Sequence, residues 1–149
     1  MKYIIGMGNM MRSDDGIGSH IINYIIDNNL EDGFTALNFA SNAWGILPLL
    51  NQQTEKILII DCTILGKQPG EYQFFDLESV LSQNKLSVES HEASIVQLIR
   101  LAETSAYIIP DITIMGIEPE SMDFEQHLSE KIANHLVDYV QVASQFIQN

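Results

Sequence analysis

Basic residues are scarce in this chain. Seven lysines and arginines stand against twenty aspartates and glutamates, a formal net charge of −13. So acidic a surface repels phosphate backbones and anionic lipid headgroups, which argues against nucleic acid and membrane partners. It attracts cations or a partner with a basic tail, and it also serves solubility by itself. Cysteine is nearly absent: Cys62 stands alone, so no disulfide can form within the chain. Long apolar runs are missing as well. Nothing approaches the roughly 20 residues of a membrane span, and the run from Met1 to Gly6 is too short for a signal peptide and has no cleavage pattern. A soluble, cytoplasmic protein without membrane insertion is the expectation.

Several motifs are also absent. No G-x-x-x-x-G-K-[ST] loop occurs, which leaves phosphate cradling without support. Gly6-Met7-Gly8 begins a dinucleotide fingerprint that fails at Met11. His91-Glu92 is not a zincin motif, because position 95 is isoleucine.

What is present is a globular composition, 46% apolar and 18% charged over 149 residues, which suits one domain spanning 1–149. Tyr3 to Met7 reads as a buried strand entering a tight glycine loop. Ser13 or Asp14 can cap a helix whose apolar face is Ile17, Ile21, Tyr24 and Ile25, at spacings of three and four. A second strand is expected over Phe34 to Phe39. A short helix follows around Ala43 to Leu50, where Pro48 is tolerable only near a first turn. Lys56 to Ile60 is apolar and β-branched, as expected of a strand covered on both faces. Further strands are expected over Tyr72 to Phe75 and Ile112 to Met115. Helices are expected through Ile95, Leu98, Ile99 and Ala102, and from Ser129 as cap through Ile147. Strands alternating with helices predict an α/β fold: a three-layer sandwich with a largely parallel central sheet and helices on both faces.

In such sheets, functional groups gather where strands end. Asp14-Asp15 follow the first strand's loop, Asp61 ends the central strand, and His91 precedes a helix. A carboxylate directly after so apolar a run needs a cation, a set of hydrogen-bond donors or a metal, since burying it unpaired costs several kcal/mol. An aspartate capping its own turn is the plainer alternative. Two carboxylates and one imidazole would form an oxygen-oxygen-nitrogen set that suits zinc or nickel and leaves positions open for water or substrate. Taken alone, His91 also fits a helix-start or surface histidine. His20, His127 and His135 read as surface or interface residues, and Cys62 as a small buried residue at a strand end.

Four segments, taken together and in order, carry a resemblance. They are Gly6-Met7-Gly8-Asn9 with Asp14-Asp15-Gly16-Ile17-Gly18; Ile60-Asp61-Cys62 through Gly66 and Pro69-Gly70; Ser90-His91-Glu92-Ala93-Ser94; and Gly116-Ile117-Glu118-Pro119-Glu120-Ser121. This constellation resembles the hydrogenase maturation endopeptidases over nearly the whole chain. The resemblance implies an endopeptidase that removes a carboxyl-terminal peptide from a nickel-loaded [NiFe]-hydrogenase large-subunit precursor, which would be its partner. It implies Asp15, Asp61 and His91 as catalytic and metal-meeting residues, with nickel arriving on the substrate and zinc able to occupy the site in vitro. Gly8, Asn9, Asp14 and Gly45 would then contact substrate, Asp14 in a supporting role. The chain departs from the family pattern at Ala40-Ser41-Asn42-Ala43-Trp44-Gly45, where an acidic, glycine-rich stretch is usual. A chaperone of the same fold that binds nickel or the precursor without cutting is the alternative that this departure leaves open.

Overall fold

The computed structural model describes residues 1–82 and 91–149, with side chains described at 1–79 and 95–149. Five strands form one sheet: β1 (Lys2–Met7), β2 (Thr35–Ala40), β3 (Lys56–Cys62), β4 (Tyr72–Asp76) and β5 (Asp111–Ile117), in the spatial order β2-β1-β3-β5-β4. The first four in that order run parallel, and β4 lies antiparallel against β5 at the edge. The expected α/β sandwich is the observed one.

The apolar runs explain the layers. Successive side chains on a strand face opposite ways, so Leu58 and Ile60 enter one core while Ile57 and Ile59 enter the other. Against the first pack α1 (Ile17–Asp27), through Ile17, Ile21 and Ile25, and α5 (Leu136–Gln148), through Tyr139, Val140, Ala143 and Ile147. Against the second pack a 3-10 helix (Ala43–Leu49), through Ile46, and α3 (His91–Glu103), through Ile95, Leu98, Ile99 and Ala102. No helix among the described residues is long and apolar enough to cross a membrane.

Several elements differ from expectation. The closing helix is two pieces, α4 (Glu130–Asn134) and α5, because the His135 amide bonds Ile132 three residues back and tightens the turn. A short helix, α2 (Leu77–Ser82), follows β4 directly, too brief to leave a periodic signal. The segment around Pro48 is 3-10 rather than α, and the proline lies near its end. Neither Ser13 nor Asp14 caps α1. A 3-10 turn over Ser13–Gly16 precedes it, and Gly16 takes the cap position with no side-chain bond.

Three long-range hydrogen bonds tie distant parts of the chain together. The Tyr139 hydroxyl donates to the Gly70 carbonyl at 2.6 Å, joining α5 to the turn before β4. Tyr139→Phe is expected to cost about 1 kcal/mol in urea unfolding, the net worth of one such bond. At the start of the sheet, Lys2 Nζ donates to the Gln148 carbonyl at 3.2 Å and Lys56 Nζ to that of Phe146 at 3.1 Å.

Candidate active site

Four parallel strands deliver the chain to one edge of the sheet, the place where open α/β sheets build sites. Asp61 lies there, next to last in β3 and fully buried, with Oδ1 accepting the Cys62 amide at 2.8 Å. Asp15 sits in the 3-10 turn after β1, and that turn packs against β3. Because β1 and β3 are sheet neighbours, with Gly6 opposite Ile60, the two aspartates reach the same edge from adjacent strands. Asp15 is 6% exposed. Its Oδ2 accepts the Asn9 amide at 3.0 Å, and its Oδ1 takes no hydrogen bond among the described residues.

Gly8 makes this turn possible. Its φ of 124° is a region that side chains avoid, and a Cβ there would lie 1.9 Å from the Asp15 carbonyl oxygen. The Gly8 amide donates to the Ala40 carbonyl at 2.8 Å, tying the loops after β1 and β2 together. Asn9 is turned into its own loop, Oδ1 accepting the Met11 amide at 2.9 Å. Gly45 faces inward, since a Cβ there would stand 3.1 Å from the Phe39 ring. Beside it Trp44 is 64% exposed, so its ring does not fill the core.

Asp14, next to Asp15 in the chain, has a different fate. It is 1% exposed, and its oxygens accept from the amides of Glu120, Ser121 and Ser129 at 3.0, 2.9 and 2.8 Å and from the Ser129 hydroxyl at 2.7 Å. With its oxygens occupied by its own chain, Asp14 supports the loop rather than facing a ligand. Ser129 does begin α4, as expected, but spends its hydroxyl on Asp14 rather than on its own helix.

His91 opens α3, but its side chain lies outside the described residues. Among the described residues, no three His, Cys, Asp or Glu side chains cluster closely enough to hold a metal ion. Asp15 and Asp61 place carboxylate oxygens at the same edge of the sheet, the donor type that hard and borderline cations take. His20, expected at the surface or an interface, is half buried; burial lowers its pKa against the opposing pull of Asp14, and Nε2 has no hydrogen-bond partner among the described residues. His127 and His135 are exposed, beside Glu125 and Asp138.

Glu118 is a residue that sequence reasoning took only as part of a turn. It is 7% exposed, and its carboxylate accepts the amides of Leu65 at 2.6 Å and Lys67 at 3.2 Å, fastening the loop after β3 to the end of β5. The signal was there: an acid directly after the apolar run Ile112 to Ile117 poses the same burial problem as Asp61.

Residues 28–145 match the model of a family described as hydrogenase maturation protease, HycI. A Methanocaldococcus jannaschii protein provisionally named as a hydrogenase maturation protease is 24% identical, over 87% of this chain and 85% of its own. The hydrogenase maturating endopeptidase HybD from E. coli superposes with a TM-score of 0.83 at 15% identity, covering 99% of this chain and 91% of that one. The [NiFe] hydrogenase maturation protease HybD from Thermococcus kodakarensis gives 0.80 at 22% identity, over 98% of each chain. The two structural likenesses speak for the fold. The family match begins after α1, so it does not include Asp14 and Asp15.

Proposed function

This chain belongs to the hydrogenase maturation proteases, and we propose that it cuts a carboxyl-terminal peptide from a [NiFe]-hydrogenase large-subunit precursor once nickel has been loaded. The observation that carries this reading is the buried Asp61 on the edge that the Asp15 turn also reaches. A carboxylate so placed offers oxygen ligands of the type divalent cations take, at a buried position where water screens the attraction least.

On this reading Asp15, Asp61 and His91 meet the nickel that the substrate brings, and only a loaded precursor is engaged. One of the carboxylates accepts a proton from water as the water oxygen attacks the scissile carbonyl carbon. The carbon–nitrogen bond then breaks, and the departing amine takes up a proton. A bound divalent cation supplies polarisation and brings the pKa of a bound water towards about 7. The tail passes over Gly8, Asn9 and Gly45, where little side-chain bulk intervenes, while Asp14 holds the turn from behind. Zinc added in vitro can take the place of the substrate's nickel.

Incubation with a nickel-loaded precursor, followed by mass spectrometry of the large subunit, tests the proposal. A mass lowered by the terminal peptide is expected. An unchanged mass, with an active processing enzyme run in parallel, refutes cleavage, and binding without shortening would point to the chaperone reading. Trp44→Ala should raise KM for the precursor several-fold with kcat retained, since an exposed tryptophan on a rim is a favoured binding anchor. Its unfolding free energy should stay within about 0.5 kcal/mol of the parent.

A further inference from the structure

We infer that Asp14 is a positioning residue: its buried carboxylate fixes the segment between β5 and α4, and through it the relative placement of Asp15 and Asp61. The inference rests on the proposed reading in taking those two aspartates as the reacting pair. The segment starts beside Asp61, because Gly116 and Ile117 pair in register with Asp61 and Cys62. It ends on Asp14, the chain neighbour of Asp15, through Glu120, Ser121 and both donors of Ser129. The backbone reinforces the joint. Ser13 N–H donates to the Glu125 carbonyl at 2.7 Å, and Asp14 N–H to that of Ser121 at 3.1 Å. Ser13 is held there at a φ of 48°, a conformation uncommon outside glycine. At the far end, Glu118 locks the loop that follows Asp61.

All four donors to Asp14 are neutral N–H and O–H groups, so hydrogen bonds rather than an ion pair hold this side chain in place. The segment is therefore a brace with one end at each aspartate. It sets their separation by long-range ties rather than by the local turn.

Asp14→Asn places an amide N–H₂ among donors and endangers folding, so the decisive variants are at Ser129. Ser129→Ala removes one donor to Asp14 and no bond within α4, because the hydroxyl makes no capping bond there. Ser129→Thr restores the donor. The amides of Asn9 and Cys62 report on Asp15 and Asp61 directly, since each donates to the carboxylate concerned. In Ser129→Ala, residue-resolved amide exchange by NMR should quicken at both about fivefold or more, the equivalent of one lost hydrogen bond. In Ser129→Thr it should match the parent. With a precursor that the parent cleaves, Ser129→Ala should lower kcat and leave KM in place. Faster exchange confined to 118–129, or loss at Asn9 and Cys62 that threonine does not rescue, overturns the brace. A parent that cleaves nothing refutes the proposed function instead, and the exchange data still decide the inference.

Discussion

Asp61→Asn is expected to lower kcat/KM for the loaded precursor about a thousandfold or more while the fold survives. The substitution is nearly isosteric. The side-chain amide oxygen still accepts the Cys62 amide, so the local turn at the end of β3 keeps its bond. What vanishes is the negative charge, at a fully buried position where a cation's field is least screened by water. Asparagine keeps the volume and the bond to the Cys62 amide, so the unfolding free energy of Asp61→Asn should stay within about 1 kcal/mol of the parent. Lost turnover with retained stability separates a functional charge from a structural one. Progress curves by mass spectrometry and urea unfolding on the same preparation check both halves. A variant that cleaves at the parental rate contradicts the role of Asp61, and a parent that only binds the precursor should lose binding rather than turnover.

The second large effect is on stability. Gly18→Ala lies inside α1, where propensity alone favours alanine by about 1 kcal/mol. Sterics reverse the sign. A Cβ at Gly18 would stand 2.3 Å from the Ile60 carbonyl oxygen, 2.4 Å from that of Met7 and 2.7 Å from the Met7 nitrogen. All three are backbone atoms of the two central strands, which cannot yield as a flexible side chain would. The net expectation is a loss of about 3 kcal/mol. For a chain of this size that lowers Tm by about 10 °C in calorimetry. Activity should fall even below the transition, because Met7 and Ile60 lead directly into the loop before Asp15 and into Asp61. An unchanged Tm would show that α1 can lift from the sheet at little cost.

The layered architecture was legible because the physics behind it is local. Ile57 to Ile60 is too apolar to face water on either side, and Ile17, Ile21 and Ile25 fall on one stripe of a helix. The antiparallel course of β4 was not legible, since Tyr72 to Phe75 reads the same in both directions and only pairing with β5 sets it. The candidate site divides along the same line. Asp61 stands out because its cost is visible in the five residues before it. Asp14 and Asp15 are identical neighbours, and their roles are separated by donors that lie 106 to 115 residues further along the chain. Pattern reading cannot supply that distinction, whereas the apolar run before Glu118 did mark it as an acid in need of partners.

The bonds from Lys2 to Gln148 and from Lys56 to Phe146 have a practical bearing. They hold the first and last residues described near each other at the edge of the sheet where the parallel strands begin, the edge away from Asp15 and Asp61. A short flexible linker from Asn149 to Met1 can therefore join the ends, and new ends can be opened at the exposed Asp32-Gly33 turn, giving a circular permutant with its rim untouched. Equally, an affinity handle or surface tether fixed at either end leaves the opposite edge free for a folded precursor to approach.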